Sequence, residues 1–449
     1  MVEPQVIREV FDLTDPDRNI VFGMSVDEAR ERVADGDVRR IREIDGHFAL
    51  VARRGQTVRL ARSLQLPMRY FIVKRSDGPA LLVTHRIDAI KAWLDERGLS
   101  DQFHPSYTRM VPAHHLTEVE LIGCHDPNPT YRRFFAPARE TLPGDTAEIG
   151  RRYIGALAAE IEKWLLTVSA TEPIGVSFSG GIDSGAVFLV LYHVMCRLGM
   201  NPGRLKAFTL SIDQSGADLA QARRFLAELD LQIFHEPIEV SLDTVDLAQA
   251  VRVIEDYKPL DIQSGAMALA LFRGIRERYP DWQHIVDGDG GDENLKDYPI
   301  EENPELTIRS VLNNTMLYHE GWGVDSIKHS LTYSGGMSRG CARSHAPADH
   351  YGFRGFSPFT LPNVIEVSEG IPFIELTNWD HEALYNLKGD VVSHGVRAVT
   401  GFEMPVFEKR RFQHGVAREG LLKEHFPERP AAYRMLYQSI FDGSVSDNR

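Results

Sequence analysis

Val176-Ser177-Phe178-Ser179-Gly180-Gly181-Ile182-Asp183-Ser184-Gly185 runs from an apolar β-like segment through a short loop into an amphipathic helical pattern. In a strand, loop and helix of this kind the loop's backbone N–H groups and the positive helix end converge on one point, which suits an anion. Gly180 and Gly181 let the backbone approach a phosphate with no Cβ in the way. Ser179 and Ser184 offer hydroxyl donors, and Asp183 could hold Mg²⁺ beside those phosphates. The anion that fits is pyrophosphate. Neither G-x-x-x-x-G-K-[ST] nor G-x-G-x-x-G is present, so the kinase-type and dinucleotide loops do not explain the stretch.

Working outward, runs rich in β-branched residues alternate with helical patterns. Strands are expected at Ile174 to Phe178, Leu205 to Ile212, Gln232 to Val240 and His284 to Val286, and helices at Gly185 to Leu198 and Asp218 to Leu229. That alternation implies crossover connections and a parallel sheet. Upstream, Phe48 to Ala52, Val58 to Leu60, Tyr70 to Val73 and Leu81 to Thr84 read as the short strands of a small, mainly antiparallel β domain. Prolines and glycines between residues 125 and 150 mark the junction, giving domains at 1–140 and 145–449. Beyond residue 300 the pattern is more helical, with a glycine- and serine-rich patch from Ser334 to Gly340.

Composition narrows the function classes. A chain of 449 residues, 43% hydrophobic and 25% charged, is too long for one ordinary core. A net charge of −14 gives no reason to expect a nucleic-acid partner. Three separated cysteines, Cys124, Cys196 and Cys341, can build neither a disulfide framework nor a cysteine-based zinc site. Met1-Val2-Glu3-Pro4 lacks signal-peptide character, and no apolar run approaches 18 residues. A cytoplasmic protein with no membrane span is expected.

A second motif lies at Ile285-Val286-Asp287-Gly288-Asp289-Gly290-Gly291-Asp292-Glu293, again after an apolar strand. In an open parallel sheet both loops meet at the carboxyl ends of the strands, where ligands bind, and Asp183 and Asp292 could share a metal. An acidic surface turn is the plain alternative, but so many carboxylates repel one another unless a cation offsets them.

Together these motifs resemble a known family. The Ser-Gly-Gly-Ile-Asp-Ser hexapeptide resembles the PP-loop of the ATP pyrophosphatase superfamily, whose members activate a carboxyl or carbonyl oxygen with AMP and release pyrophosphate. The second motif looks like the [ST]-G-x-G-x-D-E loop of asparagine synthetases, with Asp287 in place of Ser or Thr. The resemblance implies that Asp287 and Gly288 lie near the ribose or adenine, and that Asp292 helps hold Mg²⁺ and pyrophosphate. Ala207-Phe208-Thr209-Leu210, Ala222-Arg223 and Phe234-His235-Glu236 are similar to the family's next strand, helix and strand, which implies that Leu210 touches adenine. Glu408 to Val416 looks like the family's K-x-x-F-x-x-G-V segment. Lys409 would then neutralise charge on the α-phosphate and on the later oxyanion.

The departures carry information of their own. Glutamine-dependent members begin with Met-Cys and use that cysteine as nucleophile, whereas position 2 here is Val2. Ile44 to Leu50 and Leu60 to Ser63 still resemble the later part of that Ntn amidotransferase domain, so residues 1–140 read as a degenerate version of it. His350 to Phe359 resembles a family segment in which aspartate-converting members place a glutamate at the position of Arg354. β-Lactam synthetases replace that glutamate by a tyrosine paired with a later glutamate, which makes Tyr351 a candidate catalytic residue and Glu382 a candidate partner. A packed aromatic is the plain reading of Tyr351.

The expectation is an α/β chain, a PP-loop parallel-sheet synthetase domain behind a reduced antiparallel β domain. It would use ATP and Mg²⁺ to adenylate a small-molecule or peptide carboxylate and join it to an amine. Lactam closure in natural-product or antibiotic biosynthesis is the favoured version, since one substrate carrying both groups makes the step intramolecular. An ammonia-dependent amidating enzyme, a lasso-peptide-type cyclase and a nucleotide-binding pseudoenzyme are the alternatives, and homodimerisation stays open.

Overall fold

A computed structural model describes residues 7, 9–121, 129–213, 216–298, 300, 306–315, 341–407 and 425–441. The amino-terminal strands are β1 (Glu9–Asp12), β2 (Ile20–Phe22), β3 (Asp45–His47), β4 (Ala49–Arg54), β5 (Thr57–Arg62), β6 (Arg69–Val73), β7 (Ala80–Thr84), β8 (Arg109–Met110), β9 (His115–Glu120) and β10 (Thr130–Arg133). They form sheets ordered β1-β7-β6-β8 and β10-β9-β5-β4, with β2 and β3 as a separate ribbon. Strands β4 and β7 are apolar on both faces, so each sheet needs cover on two sides. Ala49 and Val51 of β4 meet Leu81 and Val83 of β7 between the sheets. Leu50 and Ala52 face Ala29 and Val33 of α1 (Val26–Asp35). Ala80 and Leu82 face Ile90, Trp93 and Leu94 of α2 (Ile87–Asp95). The result is four layers, helix, sheet, sheet and helix. The expected strands are present, and among the described pairings of β1 to β10 only β1 with β7 is parallel. The two covering helices were not anticipated, although Ser25 and Glu28 spell the capping box that starts α1.

The second unit is built on β11 (Ile174–Ser177), β12 (Leu205–Ile212), β13 (His235–Val240), β14 (His284–Val286) and β15 (Arg354–Phe356), all parallel, in the order β13-β12-β11-β14-β15. The parallel sheet expected from the alternating pattern is therefore present. The run from Gln232 begins as a 3-10 turn, Gln232–Phe234, and becomes strand only at His235. Helices α3 (Thr146–Leu165), α4 (Ile182–Arg197), α5 (Ala217–Ala227), α6 (Leu247–Ile254), α7 (Pro259–Arg278), α8 (Gly291–Asn294), α9 (Pro362–Glu369) and α10 (His381–Thr400) surround the sheet. Helices α3, α4 and α10 share one apolar core, and α6 and α7 share the other. The patch from Ser334 to Gly340 lies outside the described residues.

Strand β11 has β12 on one side and β14 on the other, so the chain order reverses between β11 and β14. That reversal opens a crevice at the carboxyl ends of the strands. The two units touch over several ion pairs, Lys163 with Asp45 at 2.6 Å, Arg42 with Glu366 at 2.8 Å and Arg18 with Asp349 at 2.8 Å. No helix among the described residues is long and apolar enough to cross a membrane.

Candidate active site

The loop after β11 is held in shape by its own serines. Ser179 Oγ lies 3.2 Å from Ser184 Oγ, and Gly181 N donates to Ser179 Oγ at 3.3 Å. Gly180 has φ +72, and a Cβ there would come within 2.8 Å of Ala222 Cα in α5, so this position requires glycine on both counts. Helix α4 starts at Ile182, which moves Asp183 and Ser184 from the expected loop into the first helical turn. Its N-cap, Gly181, supplies no side-chain hydrogen bond. A helix start of this kind presents its first N–H groups and its dipole to an anion.

The loop after β14 folds back onto that turn. A Cβ on Gly288 would lie 2.8 Å from Ser184 N, and one on Gly291 would overlap the Asp183 carboxylate. Glycine at both positions therefore permits the close approach that brings the two motifs together. Asp287 is 4% exposed; its carboxylate accepts from Ser357 Oγ at 2.9 Å and from Asp289 N at 3.0 Å. Burial, then the neighbouring Asp289, pushes its carboxyl well above the usual carboxylate range. Asn294, at the end of α8, donates to Tyr153 Oη at 3.1 Å and to Phe359 O at 3.0 Å, tying this loop to α3 and to the segment after β15.

Asp183 and Asp292 do converge, but on an ammonium group. Lys388 of α10 sets its Nζ 2.7 Å from Asp183 Oδ2, hydrogen-bonds Asp292 Oδ1 and lies 3.3 Å from Asp297 Oδ2. Lys388 is 3% exposed. Burial opposes its charge, yet Asp183, Asp292 and Asp297 overrule it and hold the ammonium well above the ordinary lysine range. Lys388 was missed in the sequence. Its signal was a lysine inside the apolar stripe Leu384, Leu387, Val391, Val392 and Val396, where a 3.6-residue period puts only core residues.

Among the described residues no group of three or more His, Cys, Asp or Glu side chains is arranged as a metal cluster. The donor chemistry still suits Mg²⁺. One ammonium among three carboxylates leaves an excess of negative charge, and hard carboxylate oxygens together with phosphate oxygens are what Mg²⁺ takes.

The other expected site residues are spread over both ends of the strands. Leu210 is 2% exposed, on the β12 face that joins α6 and α7, two residues past the β11 pairing of Ser177 with Phe208. Tyr351 and Arg354 lie at the amino end of the strands. Arg354 pairs with His284, the first residue of β14, and Arg276 at the end of α7 donates to Tyr351 O at 3.0 Å. Tyr351 therefore leaves the candidate catalytic group, because three residues before β15 the chain is still on the far side of the sheet from both loops. The same register sets Arg354 at that end of the sheet. Glu382 is exposed in the first turn of α10, a helix that packs in the core opposite the one Tyr351 joins, and lines an open cavity of about 420 Å³ with Trp379, Asp380, His381 and Tyr385. The Tyr351–Glu382 pair is not formed; Tyr351 Oη donates instead to Gln249 Oε1 at 3.5 Å. Lys409 lies outside the described residues.

Residues 166–345 match the model of the asparagine synthase family, a span that holds both loops, Asp183 and Asp292. Over these residues the chain is similar to the asparagine synthase family. No curated protein sequence matches the chain. The matched family is one of carbon–nitrogen ligases that use ATP to form an amide. Its matched span begins 20 residues after α3 begins at Thr146 and ends before β15, so Ser357 and Lys388 come from outside it.

Proposed function

We propose that the chain is an AMP-forming amide-bond ligase acting on a substrate that carries both its carboxylate and its amine, with units at 1–140 and 145–449. The observation that carries this reading is the convergence of Asp183 and Asp292, from the two loops, at the bare amino end of α4. A carboxylate oxygen attacks the α-phosphorus of ATP, the bond to the β-phosphate oxygen breaks, and pyrophosphate leaves. The amine nitrogen then attacks the acyl carbon, and loss of a proton and of AMP gives the amide. Mg²⁺, when bound, supplies charge neutralisation at the phosphates. The Ser179–Ser184 turn would hold the departing pyrophosphate, and Asp183 and Asp292 would hold the metal. Lys388 keeps these two carboxylates together, and Lys409 would meet the charge developing on the α-phosphate and the oxyanion. The amino-terminal unit would be a degenerate amidotransferase-like domain that hydrolyses no glutamine. Having both reacting groups on one molecule favours ring closure through effective concentration.

The test is ATP–pyrophosphate exchange over a panel of amino acids and aminodicarboxylic acids. Asp183→Asn and Asp292→Asn should each abolish Mg-dependent exchange while circular dichroism shows the fold retained. Full exchange in either variant would remove that residue from the metal site.

A further inference from the structure

The amino-terminal unit reaches the nucleotide loop through one buried line of hydrogen bonds. Gln65 Nε2 donates to Ser357 Oγ at 3.1 Å, and Ser357 Oγ donates to Asp287 Oδ2 at 2.9 Å. Asp287 Oδ1 in turn accepts from Asp289 N at 3.0 Å, closing the turn that presses Gly288 onto the start of α4. Gln65 and Ser357 are each 0% exposed, so water cannot stand in for a lost partner.

The donor end of the line is itself fixed. Arg62, fully buried, donates through Nε to Val111 O at 2.6 Å and through Nη1 to the carbonyls of Ser63, Leu64 and Leu66 at 3.2 to 3.3 Å. A guanidinium that gathers the carbonyls on either side of Gln65 leaves that side chain one direction in which to point. The direction of donation is uniform, amide to hydroxyl to carboxylate, and it supports charge on Asp287 against the effects of burial and of Asp289, which work the other way.

We propose that Gln65 is a positioning residue for the nucleotide loop, so that the amino-terminal unit works as a brace for the synthetase site rather than as a source of ammonia. The proposal rests on the nucleotide role given above to the Asp287–Gly288 loop. Its energetic content is one buried hydrogen bond passed to a carboxylate, enough for about a tenfold effect on whatever the loop binds.

The experiment is a double-mutant cycle on the full chain with Gln65→Met, Ser357→Ala and the two combined. Hydrogen exchange is read at the amides of residues 287–292, and MgATP affinity by calorimetry. A relay predicts that either single change speeds exchange at these amides and weakens MgATP by about tenfold, with the double variant no worse than the worse single. Breaking the line from the Ser357 side keeps the test alive should Gln65→Met not fold. Exchange and affinity within about twofold of the parent in Gln65→Met, or single effects that multiply in the double variant, would overturn the relay. A parent protein with no MgATP affinity would instead overturn the nucleotide reading, while the exchange measurement still decides whether Gln65 holds the loop.

Discussion

A lysine that is 3% exposed keeps its charge only where anions offset the cost of leaving water, and Lys388 has Asp183, Asp292 and Asp297 for that purpose. Lys388→Met removes the ammonium with little change of volume and leaves three carboxylates facing one another. Urea unfolding at pH 7 should show a loss of about 3–5 kcal/mol, the usual size for breaking a buried ion pair from one side. A loss below about 1 kcal/mol, typical of a surface pair, would mean that the carboxylates do not depend on it. Because the folded value lies above the ordinary 10.5, the stabilisation is fully present below that pH. It is lost only as pH rises through the higher folded value. Ser179, Asp183 and Asp292 could be read directly because loop chemistry is local in sequence. Lys388 is 205 residues from Asp183, and its meeting with that carboxylate depends on helix packing that no single segment encodes.

That packing turns on one crossing. Helices α3 and α10 approach most closely where Gly395 meets Gly150, and a Cβ on Gly395 would overlap Gly150 O and lie 2.5 Å from Ile154 Cγ1. Gly395→Ala should push α10 off α3 at a cost of about 1–3 kcal/mol, as overpacking usually does. Since Lys388 rides on the same helix two turns earlier, MgATP affinity should fall with it. A variant with unchanged melting temperature and unchanged affinity would show that the crossing yields without moving Lys388. The strands β11, β12 and β14 and the helices α4 and α5 were readable from period and β-branched content. Strand β15 was not. Three residues, Arg354-Gly355-Phe356, carry no alternation, and they become a strand only because β14 offers an edge. With β15 unread, nothing in the sequence showed that Tyr351, named by resemblance, stands at the amino end of the strands.

At the scale of the whole molecule the two units enclose histidines that burial holds neutral near pH 7. His47 of β3, 1% exposed and beside Phe356, is pushed by burial and then by His345 down to about 3. His345 is pushed by burial down to about 4, with Asp349, Arg18 and His85 as its charged neighbours. Both folded values lie below the ordinary 6.5, so the unfolded chain binds more protons between pH 6.5 and those values and stability falls as pH falls through that window. Each histidine contributes a slope of about 1.4 kcal/mol per pH unit. His47→Phe should remove about one proton's worth of that slope between pH 6 and 4, measured as the difference from the parent in urea titrations. Equal slopes would mean that His47 is not held neutral. Composition pointed to two units, but their contact surface was hidden, because residues such as Gln65, His47 and Asp45 gain their partners only when distant segments dock. The measurement that bears most directly on the chemistry follows label from the α-phosphate of MgATP with the same acid panel and ammonium chloride present. The account predicts label in AMP, with pyrophosphate released in equal amount, for whichever acid is accepted; label in ADP, with phosphate released, would contradict it.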